Sequence, residues 1–225
     1  MIKAVLLDID NTILDFDKCA NASLKKVCDE FSLPYENWFF PTFTKINDNL
    51  WKQVEDKIIT KEELHRIRFS IVFDAWGVKG DGIDFEKRFK IALKESAEKV
   101  YGGMALVKYL SKKYLLAVAS NSNYPQQIKR LTLAGYTPYI DKFFFSADIG
   151  AEKPSKEFFD ACINGLEGIS RDQIIVIGDS INADILGGIN ANIKTCWFNF
   201  RKITPPKDLT ADYVVNSLSQ IKKFL

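Results

Sequence analysis

Short apolar runs alternate with helical patterns of apolar residues along most of the second half of the chain. Each run is bounded by turn-forming residues, which is typical of a buried strand, and each helical pattern indicates one buried helix face. Strands that alternate with helices in this way predict βαβ units and a parallel sheet covered on both faces. The predicted strands are residues 4–7, 114–119, 142–145, 174–177, 194–198 and 213–215, and the predicted helices are residues 104–112, 125–134, 155–166, 183–190 and a terminal helix from 218.

Only helical patterns separate the first of these strands from the next. They cover residues 20–31, 42–54, 60–76 and 84–100. Thr60 followed by Glu63 forms the pattern of a capping box, which places the start of the third of these helices. We therefore predict an α/β fold, with a three-layer, Rossmann-like core of residues 1–15 and 100–225 built on a parallel sheet, and an inserted all-helical cap of residues 16–99.

Acidic residues follow two of the predicted strands. Asp8 and Asp10 come directly after the first apolar run, in KAVLLDIDNT, and Asp179 and Asp184 follow the run in QIIVIGDSINAD. In open α/β sheets, ligands bind in the crevice beyond the carboxyl ends of the strands, so these carboxylates are candidates for one site. Carboxylates this close repel one another unless a cation or a shared proton intervenes. A plain strand end with a polar turn is the alternative for the first pair alone, and the second acidic strand end argues against it.

Two further strand ends carry groups suited to a phosphoryl ligand. Ser120 and Asn121 follow the run LLAVA, and Lys153 lies in GAEKPS. Hydroxyl and amide groups donate hydrogen bonds to phosphoryl oxygens, and a lysine supplies fixed positive charge. With the acidic strand ends, these residues occur in the order DxDxT, strand-terminal Ser, Lys before Pro and GDxxxxD, which resembles the haloacid dehalogenase superfamily.

The resemblance implies phosphoryl transfer with a role for each residue. Asp8 matches the nucleophile, which would form an aspartyl phosphate, and Asp10 matches the general acid and base. Ser120 and Lys153 match the groups that hold the phosphoryl group, and the amide of Asn121 can donate a further hydrogen bond.

The same resemblance implies a metal site. Asp179, Asp8 and the backbone carbonyl of Asp10 would hold a hard cation, and a ligand set made only of oxygen favours Mg²⁺. We expect Asp184 to orient the waters of the metal or Lys153. This acidic set suits phosphoryl chemistry rather than dehalogenation, in which water attacks an ester at carbon without a metal.

Three longer stretches resemble the pyrimidine 5'-nucleotidase branch of the superfamily. They are DIDNTILDF, SADIGAEKPSKEFFD and GDSINADILGGINANIKTCWFNF. The resemblance implies a Mg²⁺-dependent phosphomonoesterase that acts on nucleoside monophosphates. Ser122 departs from the glycine that this branch tends to have, and the predicted cap carries no motif that we can match. A phosphatase for sugar phosphates or other small metabolites and a phosphomutase therefore stay open, and a binding protein without turnover is the alternative from another class.

Composition and charge exclude several kinds of partner. The chain has 225 residues, of which 47% are hydrophobic, and a formal net charge of +2. Its lysines and glutamates are interspersed, so we expect no nucleic acid partner. No apolar run approaches the ~20 residues of a membrane span, so we expect no membrane segment. Scattered cysteines without CxxC spacing, and a start without a signal peptide, predict a cytoplasmic protein with reduced thiols, whose oligomeric state the sequence leaves open.

The conspicuous side chains of the predicted cap have ordinary interpretations. His65 is the single histidine, and we expect an ordinary helix residue because the proposed acid and base is an aspartate. Lys52, Arg66 and Arg68 are expected on solvated helix faces. The aromatic cluster at residues 38–43 is expected to form the core of the cap.

Overall fold

A parallel sheet organises one of the two units into which the chain divides. The computed structural model describes residues 1–206 and 209–225, and within them the first unit is Met1–Asp15 with Glu98–Leu225 and the second is Phe16–Ala97. The strands are β1 (Ala4–Leu7), β2 (Leu115–Ser120), β3 (Lys142–Phe145), β4 (Ile174–Gly178), β5 (Lys194–Phe198) and β6 (Tyr213–Val215). They lie in the order β3-β2-β1-β4-β5-β6, and every neighbouring pair is parallel. The predicted α/β fold with a parallel sheet is confirmed.

Helices surround this sheet and make up the second unit. They are α1 (Phe16–Glu30), α2 (Phe39–Glu55), α3 (Lys61–Trp76), α4 (Gly82–Lys94), α5 (Gly103–Leu110), α6 (Tyr124–Leu133), α7 (Ser146–Ile149), α8 (Lys156–Gly165) and α9 (Gly187–Asn190). In the part of the chain that the structure describes, every helix is too short or too polar to serve as a membrane span.

The central strand β1 is buried over its whole length. On one face of the sheet, Ala4 and Leu6 lie in a hydrophobic cluster with Phe158 and Phe159 of α8. Because β1 is buried on both faces, none of its side chains faces water. This explains why its sequence is continuously apolar.

The helix predicted over residues 84–100 ends early, at Lys94. The following segment joins the first unit instead: Lys99 forms an antiparallel bridge with Leu14, and the Asp15 N–H donates to the Glu98 carbonyl over 2.8 Å. The prediction was wrong there because these long-range backbone hydrogen bonds outweigh the local helical periodicity.

The second unit is helical and has an aromatic core. The predicted cluster contributes Phe39 and Phe43, which are buried. Rings from α3 and α4 complete the core, and those that are fully or almost fully buried are Phe69, Phe73, Phe85 and Phe89. Thr60 caps α3 as predicted, since its hydroxyl oxygen accepts from the Glu63 N–H over 3.1 Å.

Arg68 is buried inside this unit, so its predicted place on a solvated face was wrong. Its side chain is 3% exposed. It donates to both carboxylate oxygens of Glu86 over 2.8 and 3.1 Å and to Asn47 Oδ1 over 2.8 Å. A guanidinium is buried without a large penalty only when its N–H groups are paired. The partner that makes this possible lies on α4, which the local pattern around α3 does not show.

Candidate active site

Two neighbouring strands bring the acidic motifs together. β1 and β4 are paired in parallel, with Leu7 opposite Ile177. The Asp8 N–H extends this pairing by donating to the Ile177 carbonyl over 2.9 Å, and Asp179 follows β4 directly. Because both aspartates leave their strands at the carboxyl edge of the sheet, they face one crevice.

Three carboxylates form a cluster at this edge. Oxygens of Asp8, Asp179 and Asp184 all lie within 4.8 Å of one another. Asp184 reaches the cluster from a π-helical turn, Ile181–Leu186, and its Oδ2 accepts from the Ser180 N–H over 3.1 Å. Such turns are rare and occur often at functional sites. The cluster therefore contains Asp184, the residue that we expected to orient the waters of the metal or Lys153.

Gly178 makes room for the Asp184 carboxylate. A Cβ at this position would lie 2.1 Å from Asp184 Oδ2 and 2.2 Å from its Cγ. No side chain fits in that space, so a glycine is needed at the last position of β4, directly before Asp179.

Gly178→Ala should therefore weaken cation binding and lower stability. Displacing Asp184 should lower the free energy of unfolding by about 1–3 kcal/mol and the Tm by about 2–12 °C. Gly168→Ala is the matched control, because Gly168 has a φ of +75° and open space around it. The control should lose stability through backbone strain and keep its affinity for Mg²⁺ in calorimetric titration. Equal Mg²⁺ affinity in both variants would contradict the assignment of Asp184 to the cluster.

Lys153 neutralises part of this acidic cluster. Its Nζ donates to Asp8 Oδ1 and to Asp184 Oδ1, each over 2.7 Å, and to the Ala119 carbonyl over 3.0 Å. These acceptors use all the hydrogens of the ammonium group. Lys153 is 3% exposed, so its charge acts on the carboxylates with little screening by water.

Asn121 holds the backbone of Lys153 in place. Its Oδ1 accepts from the Lys153 N–H over 2.8 Å, and its Nδ2 donates to the Lys153 carbonyl over 2.9 Å. The Asn121 side chain thus links the loop after β2 to the loop that carries Lys153. A hydrogen bond from Asn121 to a phosphoryl group would come from its backbone N–H.

Burial and mutual repulsion govern the protonation of the cluster. Burial raises the pKa of Asp8 to about 7, the Asp184 and Asp10 carboxylates add to the rise, and Lys153 opposes it. The pKa of Asp179 is raised well above its usual value by burial and by the charges of Asp8 and Asp184. Burial alone would lower the pKa of Lys153, but the two carboxylates beside it outweigh burial and raise it.

The cluster thus has too little positive charge to balance its carboxylates. One ammonium group faces three carboxylates. Burial and the repulsion between the carboxylates raise the pKa values of Asp8 and Asp179, so ionising these acids in the folded state costs free energy. A divalent cation held by oxygen ligands would remove that cost. The residues present therefore fit a hard metal ion.

The Asp10 carboxylate lies outside the metal cluster and contacts α6. Its Oδ1 accepts from Arg130 Nη1 over 2.6 Å, and its Oδ2 accepts from Gln127 Nε2 over 2.7 Å. Gln127 Nε2 also donates to the hydroxyl oxygen of Ser120 over 3.2 Å. Asp10 was predicted to bind the metal through its backbone carbonyl. The contacts of its side chain do not test that role, which stays a prediction.

Sequence reasoning did not select three residues that touch these groups. Thr12 is fully buried and donates to Asp8 Oδ2 over 2.9 Å, which explains the Thr of the DxDxT motif. Gln127 and Arg130 are three residues apart on the helix that follows the strand ending in Ser120. That spacing places them on one helix face, and it is the signal that could have identified them.

Comparisons with known proteins show which family this chain resembles. A model of the haloacid dehalogenase-like hydrolase family matches residues 2–192. The HAD-hydrolase YfnB of Bacillus subtilis (strain 168) is 29% identical over 99% of this chain and 95% of its own. Its crystal structure bound to magnesium has a TM-score of 0.96 and covers 100% of this chain and 98% of that chain.

Two relatives are named as nucleotidases. The pyrimidine 5'-nucleotidase PynA of Streptococcus pneumoniae (strain ATCC BAA-255 / R6) is 33% identical over 88% of this chain and 84% of its own. The pyrimidine 5'-nucleotidase YjjG of Escherichia coli (strain K12) is 25% identical over 98% of this chain and 96% of its own. The predicted resemblance to these proteins, and the prediction of an enzyme of the phosphatase type, are confirmed. The parallel sheet, its acidic strand ends and the matched family model together establish that the chain belongs to the haloacid dehalogenase-like hydrolase family.

Proposed function

We propose that this protein is a Mg²⁺-dependent phosphomonoesterase that acts through an aspartyl phosphate on Asp8, with a nucleoside monophosphate as its substrate. The observation that carries the proposal is the position of Asp8. Its carboxylate is buried at a strand end, is bonded to Lys153 over 2.7 Å and belongs to a cluster that fits a hard cation. A carboxylate in this position can attack phosphorus and divide a difficult hydrolysis into two steps.

The residues around Asp8 would stabilise charge and move protons. Lys153 supplies fixed positive charge, and the Ser120 hydroxyl and the Asn121 N–H donate to phosphoryl oxygens. Asp10 gives a proton to the leaving oxygen in the first step and accepts one from the attacking water in the second. When Mg²⁺ is bound by Asp8, Asp179 and the Asp10 carbonyl, it neutralises charge that develops on the phosphoryl group.

We expect Mg²⁺ to stabilise the protein more at pH 8 than at pH 6. In the metal-free protein, the pKa of Asp8 rises from 3.8 to about 7 on folding, so the folded state binds more protons than the unfolded state in that interval. The free energy of unfolding therefore falls as pH rises through it. Protons and cation compete for the same oxygens, so Mg²⁺ binds best once the cluster is ionised.

Thermal unfolding with and without Mg²⁺ measures this effect. At a 100-fold excess over Kd, a bound ion adds about 2.7 kcal/mol to the free energy of unfolding. The Tm of the metal-free protein should fall from pH 6 to pH 8, and saturating Mg²⁺ should reverse most of that fall. An increase in Tm that is the same at both pH values would argue against binding by these carboxylates.

The names of PynA and YjjG support the nucleotide substrate. The test is a panel of phosphate esters assayed with Mg²⁺ and with excess chelator. We expect phosphate release from dUMP and dTMP to exceed that from sugar phosphates, and chelator to abolish it. Rates on sugar phosphates that equal or exceed those on nucleotides would contradict the nucleotide substrate. The protein would then be a phosphatase for sugar phosphates or other small metabolites. Transfer of phosphate between positions of one sugar would identify a phosphomutase, and no turnover of any ester would leave a binding protein.

Three further predictions accompany this proposal. We propose that the helical unit Phe16–Ala97 is a cap that selects the substrate. We also propose that the partner is a small phosphorylated metabolite rather than nucleic acid or membrane, and that the protein is cytoplasmic.

A further inference from the structure

We infer that Gln127 and Arg130 of α6 form a positioning pair, which fixes the Asp10 carboxylate and sets the direction of the Ser120 hydroxyl. The inference deepens the proposed function and rests on it, because it concerns the acid and base and the phosphate ligand of that same site. Neither residue would touch the substrate, so both would act through Asp10 and Ser120.

The burial of the Asp10–Arg130 ion pair is one-sided. The Arg130 side chain is 0% exposed, whereas that of Asp10 is 31% exposed. Burying a guanidinium is costly unless its N–H groups are paired, and the acid that pairs with Arg130 is itself only partly buried. Here the buried cation holds a carboxylate that stays open to solvent, as a group that exchanges protons with a substrate must.

The hydrogen-bond polarity of the pair follows from Arg130. A guanidinium can only donate, and Arg130 Nη1 lies 3.1 Å from Gln127 Oε1. The Gln127 atom that contacts Arg130 must therefore be the carboxamide oxygen. The carboxamide nitrogen then faces Asp10 and Ser120. Gln127 Nε2 then has one hydrogen for Asp10 Oδ2, at 2.7 Å, and one for Ser120 Oγ, at 3.2 Å.

This polarity has a consequence for Ser120. Its hydroxyl oxygen accepts from Gln127, so its own hydrogen must be donated to another acceptor. In the proposed reaction that acceptor is a phosphoryl oxygen. Asp10 likewise keeps lone pairs that its two hydrogen bonds do not use, which leaves it able to exchange a proton while its plane is fixed. The Gln127 carboxamide thus orients two groups of the proposed reaction: Ser120, which would bind the phosphoryl group, and Asp10, which would protonate the leaving oxygen.

The pair stands on a rigid element rather than on a loop. Asn123 caps α6, since its Oδ1 accepts from the Gln126 N–H over 3.0 Å, and Pro125 lies in the first turn. Gln127 is 0% exposed, which restricts its rotamers. Rigid support of this kind holds a reacting group within the narrow limits that proton transfer needs.

Gln127→Glu tests the inference with almost no change of shape. The variant keeps an oxygen for Arg130 but loses the two N–H hydrogens that reach Asp10 and Ser120. Gln126→Glu is the matched control, being the same substitution one position earlier on α6. Gln127→Leu is the second variant, because it removes the donors without adding charge. Each protein is assayed with Mg²⁺ on dUMP, which has a poor leaving group, and on 4-nitrophenyl phosphate, which has a good one.

The two substrates separate positioning from a merely structural role. We expect both Gln127 variants to lose about 10²-fold in kcat on dUMP and only about 10-fold on 4-nitrophenyl phosphate, because a good leaving group needs less proton donation. KM should stay within about threefold and the control should match the wild type. Arg130→Met should show the same unequal loss, and Arg130→Lys should restore part of it.

The outcomes distinguish this inference from the function on which it rests. Unchanged kcat in the Gln127 variants, or an equal loss on both esters that accompanies a lower Tm, would overturn the positioning role while leaving an active phosphatase. A wild-type protein that releases no phosphate from either ester would overturn the proposed function and the inference together.

Discussion

Asp8→Asn should reduce phosphate release from every ester by at least about 10⁴-fold, because the amide cannot form the covalent intermediate. The substitution keeps the shape of a side chain that is 7% exposed and leaves Lys153 paired with Asp184 at 2.7 Å. The loss should therefore appear in kcat without unfolding. Retention of more than a few per cent of the activity would remove Asp8 as the nucleophile.

The same variant should not be less stable than the wild type when metal is absent. Burial raises the pKa of Asp8 to about 7, which means that ionising it in the folded state costs free energy at pH 8. Asparagine does not ionise, so the Tm of the metal-free variant at pH 8 should equal or exceed that of the wild type. Its increase with Mg²⁺ should be smaller, because one ligand is lost.

A matched control separates these effects from the loss of any aspartate. Asp172 is exposed and precedes β4, at the edge of the sheet opposite to the cluster. Asp172→Asn should keep wild-type activity and a wild-type response to Mg²⁺. A control that loses activity as Asp8→Asn does would show that the assay reports folding rather than chemistry.

The meeting of the acidic strand ends could be predicted because it depends on local sequence and on one general rule of parallel sheets. An apolar run that ends in an aspartate is visible in a few residues, and the carboxyl ends of adjacent strands share an edge. To place Asp8 and Asp179 in one site, it was also necessary to know that β1 pairs with β4. The order of the motifs indicated this pairing through the family resemblance.

The supporting residues could not be predicted because their partners are distant in sequence. Gln127 and Arg130 are polar residues of a helix, which ordinarily face water. They are buried because each contacts Asp10, from which they are separated by 117 and 120 positions. Arg68 in the second unit was misjudged for the same reason, since Glu86 makes its burial possible.

The role of Asn121 shows a different limit of sequence reasoning. The residue type and its place after a strand indicated a phosphate ligand, and an amide side chain is suited to that role. In the structure both ends of the carboxamide bind the backbone of Lys153. A residue can therefore belong to a site by holding a neighbour, and composition does not distinguish that role from direct contact.

Lys153→Met should cause a large loss of both stability and activity. Removing one partner of a buried ion pair typically costs about 3–5 kcal/mol, because the remaining charges are left uncompensated. Three carboxylates would then share the cluster without an ammonium group. Phosphate release should fall by about 10²–10³-fold, the usual effect of removing a group that stabilises transition-state charge. Lys156→Met is the control, because Lys156 is largely exposed and its ion pair with Asp160 lies on the surface of α8.

The pH dependence of this loss distinguishes charge from packing. Lys153 lowers the pKa values of Asp8 and Asp179, so both should rise further in the variant. Acids whose pKa is raised in the folded state destabilise it increasingly as pH rises. The difference in unfolding free energy between wild type and Lys153→Met should therefore be greatest at pH 8 and smaller at pH 5, and Mg²⁺ should reduce it at pH 8. A difference of the same size at both pH values would mean that the loss does not depend on the ionisation of the carboxylates, and the electrostatic account of the cluster would be wrong.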